Sequence, residues 1–119
     1  MILTAPRTLP DAHIFGLGAG GLNCLMYYST KYNIVGFVDN NKNVRLRHWH
    51  KVNIIYATTL APCDIENKVF IISSMETFTI IDQLVRLSNG VPFRLEFPPP
   101  EVVYSPLGRL LSSALIRKD

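Results

Sequence analysis

Apolar residues along this chain fall in runs of strand length, and between them stand stretches whose apolar positions recur at helical spacing. The first run is Ala12-His13-Ile14-Phe15, closed at once by Gly16-Leu17-Gly18-Ala19-Gly20-Gly21. Leu22, Leu25, Met26 and Ser29 then follow i, i+3, i+4, i+7, one face of a helix. Ile34-Val35-Gly36-Phe37-Val38 is a second, nearly unbroken apolar run, ended by the turn signal Asp39-Asn40-Asn41. Residues 12–39 thus predict strand, glycine turn, helix and strand within 28 residues, close to the about 30 that a βαβ unit needs.

Val52-Asn53-Ile54-Ile55-Tyr56 supplies a third strand, and Val69-Phe70-Ile71-Ile72, ending at Ser73-Ser74, a fourth. Between them, Thr58 to Lys68 is too short and too broken by Pro62 for a long helix. Met75 to Ser88 is the best-patterned helix, with Phe78, Ile81, Leu84, Val85 and Leu87 at helical spacing and Asn89-Gly90 as the stop. Val91 to Phe97 alternates and reads as a last strand, at an edge because Pro92 lacks a ladder donor. Continuous apolar strands alternating with helices imply a mostly parallel sheet covered on both faces. Right-handed crossovers then give a single doubly wound α/β domain of about five strands in the order 3-2-1-4-5.

The expected organisation is an N-terminal arm over 1–11, this domain over 12–100 and a helical tail over 101–119. In the tail, Ser105-Pro106 is an N-cap with Pro at the first helical position. Leu107, Leu110, Leu111, Ala114 and Leu115 share one face, with Arg117 and Lys118 at the negative end of the dipole. Such an amphipathic helix packs on its own sheet, or makes a homodimer or protein-partner contact through residues 105–117. A membrane surface is the disfavoured third use.

Composition narrows the class. With 119 residues, 48% hydrophobic and 18% charged, the chain suits one globular core and not a disordered one. No apolar run reaches the about 20 residues of a membrane span. Met1 to Arg7 has neither the basic start nor the apolar stretch of a signal peptide, so a cytoplasmic location is expected. Cys24 and Cys63 lack metal-ligand spacing and read as reduced thiols. The net charge of +3 concentrates in Lys42-Asn43-Val44-Arg45-Leu46-Arg47-His48-Trp49-His50-Lys51. A basic segment with an interleaved Trp suits nucleic acid or anionic phosphates. One such loop is not a nucleic-acid footprint, and it is read here as a solvated connection with no nucleic-acid partner.

The chemistry lies in the turn. Gly16-x-Gly18-x-x-Gly21 follows a strand, opens a helix and precedes a second strand, the context that gives a dinucleotide fingerprint its meaning. Gly16 permits the tight turn, Gly18 removes the Cβ that would keep a diphosphate off the backbone, and Gly21 lets helix and sheet approach. The free N–H groups at the helix start, around Ala19, Gly20 and Gly21, suit anionic oxygens. Asp39, eighteen residues after Gly21, is placed to accept hydrogen bonds from ribose hydroxyls, with Asn40 beside it. It would repel a 2′-phosphate, a repulsion that Lys42 or Arg45 softens. Ser73 and Ser74, at the end of the fourth strand, either line the same crevice or cap the next helix. The bland reading leaves the glycines with turn and packing roles only.

Ile14 to Gly21 followed by Ile34 to Asn40 resembles the Rossmann-like nucleotide-binding domains of bacterial polysaccharide-biosynthesis proteins. These are the modules of nucleotide-sugar dehydratases and the N-terminal domains of sugar-modifying acetyltransferases. Lys51-Val52-Asn53-Ile54-Ile55 resembles their third strand and Phe70-Ile71-Ile72-Ser73-Ser74 their fourth, so the likeness spans residues 12–97. NAD- and CoA-binding domains of redox-sensing repressors share nearly the same pattern. The resemblance implies NAD or a nucleotide-sugar as ligand, with NADP and CoA disfavoured, a diphosphate at the glycine turn, and Asp39 on ribose or base. Asn53 stands where Pro is usual, the preceding turn lacks the expected Gly, and no catalytic domain is recognisable.

Other constellations carry little. Tyr27-x-x-x-Lys31 has the spacing of a short-chain dehydrogenase pair but sits at the far end of the first helix. His48 and His50 have no acidic or Cys neighbour to complete a zinc site, and Cys63-Asp64 has no nearby His. The expected function is a nucleotide-binding module without its own catalytic residues. A scaffold with a vestigial fold that docks through its tail, and an NAD- or CoA-sensing domain, remain open beside it. An oxidoreductase acting alone is disfavoured for want of a substrate domain.

Overall fold

The computed structural model describes residues 8–44 and 46–111. Strand β1 (Asp11–Phe15) leads into helix α1 (Ala19–Tyr28), then strand β2 (Asn33–Asp39). A two-residue strand β3 (His48–Trp49) precedes β4 (Val52–Tyr56), and a 3-10 turn at Ala57–Thr59 and a single-turn helix α2 (Pro62–Ile65) lead to β5 (Val69–Ile72). Helix α3 (Thr77–Ser88), strand β6 (Arg94–Glu96) and helices α4 (Pro100–Val103) and α5 (Pro106–Leu111) complete it.

The sheet has six strands in the order β3-β4-β2-β1-β5-β6. Five of them are parallel neighbours in the expected order, with β1 central between β2 and β5. The addition is β3, which extends the β4 edge antiparallel, Trp49 opposite Val52. It exists because the basic stretch folds back, directing Trp49 inward against Phe37 at a centroid distance of 5.4 Å. An indole so placed is not free to stack on a base. The last strand is shorter than expected, beginning two residues after Pro92.

Period-two alternation explains why the central strands are apolar throughout. Along β1 and β5, Ala12, Ile14, Val69 and Ile71 enter one core, while Phe15, Phe70 and Ile72 enter the other. Helix α1 covers the first face with Leu22, Cys24 and Tyr28; Ile65 of α2 and Ile80 and Leu84 of α3 cover the second.

Two helix faces differ from the pattern expected. In α1 it is Asn23, Cys24 and Tyr28 that are buried beside Leu22, while Met26 is 43% exposed. In α3 the buried stripe is Ile80, Leu84 and Ser88, and Phe78 is 88% exposed. A helix carrying two apolar stripes buries the one that the preceding loop turns toward the sheet. Burial also pushes the Cys24 thiol up to about 12, so it stays protonated at neutral pH.

The first part of the tail forms α5 and rests on α1. Asn23 donates from Nδ2 to the carbonyls of Val103 (3.2 Å) and Ser105 (2.9 Å) and accepts at Oδ1 from the Gly108 N–H (3.0 Å). A Cβ at Gly108 would overlap the Ala19 carbonyl, so the contact face is the Gly108 side, and Leu107 is half exposed. Residues 112–119, with the expected Ala114, Leu115, Arg117 and Lys118, lie outside the described residues, as do 1–7 of the arm.

Candidate functional site

Parallel strands place all their carboxyl ends at one edge of the sheet, and the loops leaving β1, β2, β4 and β5 meet there. Gly16 leaves β1 at φ 118°, hydrogen-bonded from its N–H to the Val38 carbonyl at 2.8 Å. A Cβ there would stand 2.6 Å from Ser73 Oγ. Gly18 caps α1 at φ 93°, ψ −156°, a conformation reserved for glycine. A Cβ at this residue would meet no heavy atom within 4 Å, so its outer face is open. Gly21 faces inward, where a Cβ would overlap the Gly16 carbonyl oxygen.

The start of α1 has no capping side chain of its own, and no acid stands in its first turn. Its first internal bond runs from the Leu22 N–H to the Gly18 carbonyl at 3.0 Å, so the N–H groups of Ala19, Gly20 and Gly21 precede the ladder. The ten residues of the helix align their dipoles toward this point.

Asp39 ends β2 and braces the turn. Its Oδ2 accepts from the Leu17 N–H (2.7 Å) and its Oδ1 from the Asn41 N–H (2.8 Å). Asn40 is already engaged, its amide paired both ways with Gln83 of α3 at 2.8 and 2.9 Å. That pair ties the loop after β2 to the helix after β5, a link between residues 43 apart that no local pattern announces. Ser73 Oγ is buried and directed to the carbonyls of Gly16 (2.9 Å) and Phe15 (3.1 Å). It therefore buttresses the turn. Ser74 Oγ accepts from the Glu76 N–H at 3.1 Å and shapes the entry to α3. The structure thus brings Gly16, Asp39, Asn40 and Ser74 around one crevice, with Ser73 bonded to the Gly16 carbonyl behind it, while Gly18, Ala19, Gly20 and Gly21 are not in its lining.

Space around Asp39 is uneven. The crevice toward β5, bounded by Gly16, Asp39, Asn40, Ser74 and Glu76, holds about 70 Å³. Toward β4 a cavity of about 470 Å³ opens, bounded by Asp39, Lys42, Val44, Leu46, Arg47 and Tyr56 among others. Lys42, Leu46 and Arg47 are exposed, as a solvated connection requires, and with the half-buried Val44 they form the outer rim of this cavity. Tyr27 and Lys31 meet at 3.4 Å at the exposed far end of α1, away from the turn. Among the described residues no group of three or more His, Cys, Asp or Glu side chains gathers as a metal site, and no helix is long and apolar enough to cross a membrane.

No protein-family model matches the chain, and no curated protein does. Among solved structures, the crystal structure of RSP, a Rex-family repressor, is similar with a TM-score of 0.52 at 19% identity, covering 76% of this chain and 53% of that one. The fold is Rossmann-like. RSP in complex with beta-NADH is similar at a TM-score of 0.49 and 19% identity, covering 87% of this chain and 60% of that one. The chain thus spans little more than half the length of these repressor chains. In a Rossmann-like sheet of this order, β1 is the switch point from which the strands run outward both ways, and the glycine turn stands at its carboxyl end.

Proposed function

We propose that this chain is a nucleotide-binding module that receives a diphosphate at the start of α1, with NAD as the leading ligand. One observation carries the reading: Gly18, in a conformation only glycine holds comfortably, presents an open face at an uncapped helix start with no acid in the helix's first turn. Negatively charged oxygens lying there would meet the N–H groups of Ala19, Gly20 and Gly21 and the positive end of the dipole. Asp39 keeps lone pairs after accepting two backbone N–H groups and serves a ribose hydroxyl as well. Nucleotide-sugars carry the same diphosphate, and the likeness to polysaccharide-biosynthesis modules puts them in the same titration. Among the described residues the site gathers backbone N–H groups, Asp39 and hydroxyls already bonded to the turn, a set suited to holding a ligand, and binding is the function proposed.

A second reading, a nucleotide-sensing domain, is favoured by the Asn23 contacts that join α1 to the segment from Val103 to Gly108. Ligand at one end of α1 would be felt at that segment.

Calorimetric titration of the full chain with NAD and a UDP-sugar tests the first reading, with Ala19→Glu as the control variant. A carboxylate in the first turn favours the helix but opposes the phosphates, so affinity should fall at least about ten-fold while the fold is kept. Absence of binding to either ligand by the wild-type chain overturns the reading.

A further inference from the structure

The last strand and its flanks, Pro92-Phe93-Arg94-Leu95-Glu96-Phe97-Pro98, are the same in both directions about Leu95, except that the two charges are of opposite sign. Strand β6 ends the sheet: it pairs with β5 on one side, and among the described residues no strand pairs with the other. We propose that this edge is a self-pairing surface, on which a second copy of the chain adds its own β6 antiparallel across a two-fold axis at Leu95. Charged residues and Pro commonly blunt a sheet edge. Here each is matched by a counterpart at equal distance from Leu95, so what repels other strands fits a copy of this one.

The backbone has the right parity. The Arg94 N–H donates inward to the Lys68 carbonyl at 2.9 Å, and the Pro92 carbonyl accepts inward from the Asn67 N–H at 2.7 Å. Alternate residues of a strand direct their N–H and C=O groups to opposite sides, so those of Phe93, Leu95 and Phe97 point outward. The missing N–H groups of Pro92 and Pro98 fall on the inward parity and take nothing from the outer ladder. Outward groups must meet outward groups, which leaves Arg94, Leu95 or Glu96 as the axis within the strand. An axis at Arg94 opposes two guanidinium groups, and one at Glu96 opposes two carboxylates. At Leu95, Arg94 instead faces Glu96 of the second copy twice, in the non-hydrogen-bonded pairs where side chains come closest. Leu95 then exchanges hydrogen bonds with its own copy, and Phe93 with Phe97 of the second copy. The side chains agree. Phe93 and Leu95 pack on the core beneath α3, Phe93 edge-on to Phe70 at 6.2 Å, while Phe97 is 55% exposed and would gain Phe93 of the second copy as a neighbour. On the other face Arg94 is exposed and Glu96 half-buried, its Oε1 accepting from the Tyr32 hydroxyl at 3.5 Å.

Sedimentation velocity of the full chain, from about 10 µM to about 1 mM, tests this pairing. Phe93 to Phe97 is a short contact beside the about 20–30 residues a side of a standard interface, so a dissociation constant of about 100 µM is expected. Arg94→Glu or Glu96→Arg alone should raise it at least about ten-fold, because like charges then face each other in both pairs. An equimolar mixture of the two single variants should dimerise again at wild-type strength, as should the double exchange Arg94→Glu, Glu96→Arg. In the wild type, protection of the Leu95 amide from hydrogen exchange should grow with concentration. A monomer throughout the range overturns the proposal. So does a dimer that neither substitution weakens, which would lie on another surface, the tail helix included, and so does a loss that the mixture fails to restore. Leu95 protection that stays constant with concentration overturns it whether or not the variants fold.

Discussion

On either side of Asp39 the carboxyl edge of the sheet is made from the same parts, a strand end and the loop beyond it, yet the two sides would feel opposite to a ligand. Toward β4 there is a cavity of about 470 Å³ with two cations in its lining. Toward β5 there is a crevice of about 70 Å³ whose described lining includes Glu76 and no cation, with Asn40 at its edge paired to Gln83. The backbone of a doubly wound sheet prepares both sides alike. Side chains from loops far apart in sequence then set the size and the charge of each side.

The contrast can be broken or sharpened by substitution. The largest effect is expected where the glycine turn packs on itself. Gly21→Ala pushes a methyl group into the Gly16 carbonyl, and chemical denaturation should report a loss of about 3 kcal/mol. Next comes Asp39→Asn, which keeps one acceptor but turns an NH₂ toward a backbone donor. That should cost about 1–3 kcal/mol in the same assay and loosen the turn on both sides at once. Glu76→Gln acts on the narrow side alone. Removing that charge should tighten diphosphate binding about two- to three-fold in calorimetry, with stability unchanged.

The smallest effect concerns the opposite side of the sheet's length and separates stability from binding. His13 stacks on Phe70 at 5.0 Å, and among the described residues its buried Nδ1 has no hydrogen-bond partner. Burial lowers its pKa from the ordinary 6.5, Lys68 adds to the lowering, and Asp64 and Asp11 oppose it. On acidification the unfolded chain takes up this proton before the folded one does. Stability from this group is therefore complete above about pH 6.5 and declines as pH falls from there toward the folded value. A denaturation series from neutral to mildly acidic pH should show that decline in the wild type and lose it in His13→Phe, which keeps the stack.

The strands and their order were legible because continuous apolar runs and right-handed crossovers leave few arrangements, and β1, β2, β4, β5 and β6 took the expected places. The glycine turn was legible for a similar reason: each glycine answers to a local geometric demand. Helix faces were less so. Phe78 and Ile80 offer α3 two competing stripes, and only tertiary packing chooses Ile80. Least legible were features made by distant segments meeting. Asn40 reads as a ribose neighbour until Gln83 arrives from α3, and the basic stretch gives no local sign that it doubles back as β3 and buries Trp49 against Phe37.

Asn23 has one more consequence. Its side chain fastens the α4–α5 junction to α1, and Gly108 lies against the carbonyl of Ala19, the first residue of that helix. Whatever loads the helix start and whatever grips the α5 segment thus act on the same rigid rod. By thermodynamic reciprocity, any factor by which docking of α5 strengthens occupancy is the factor by which occupancy strengthens docking. Cutting Asn23 down to Ala would remove the three hydrogen bonds that hold the segment there and weaken any such reciprocity, leaving the packing of Gly108 on Ala19.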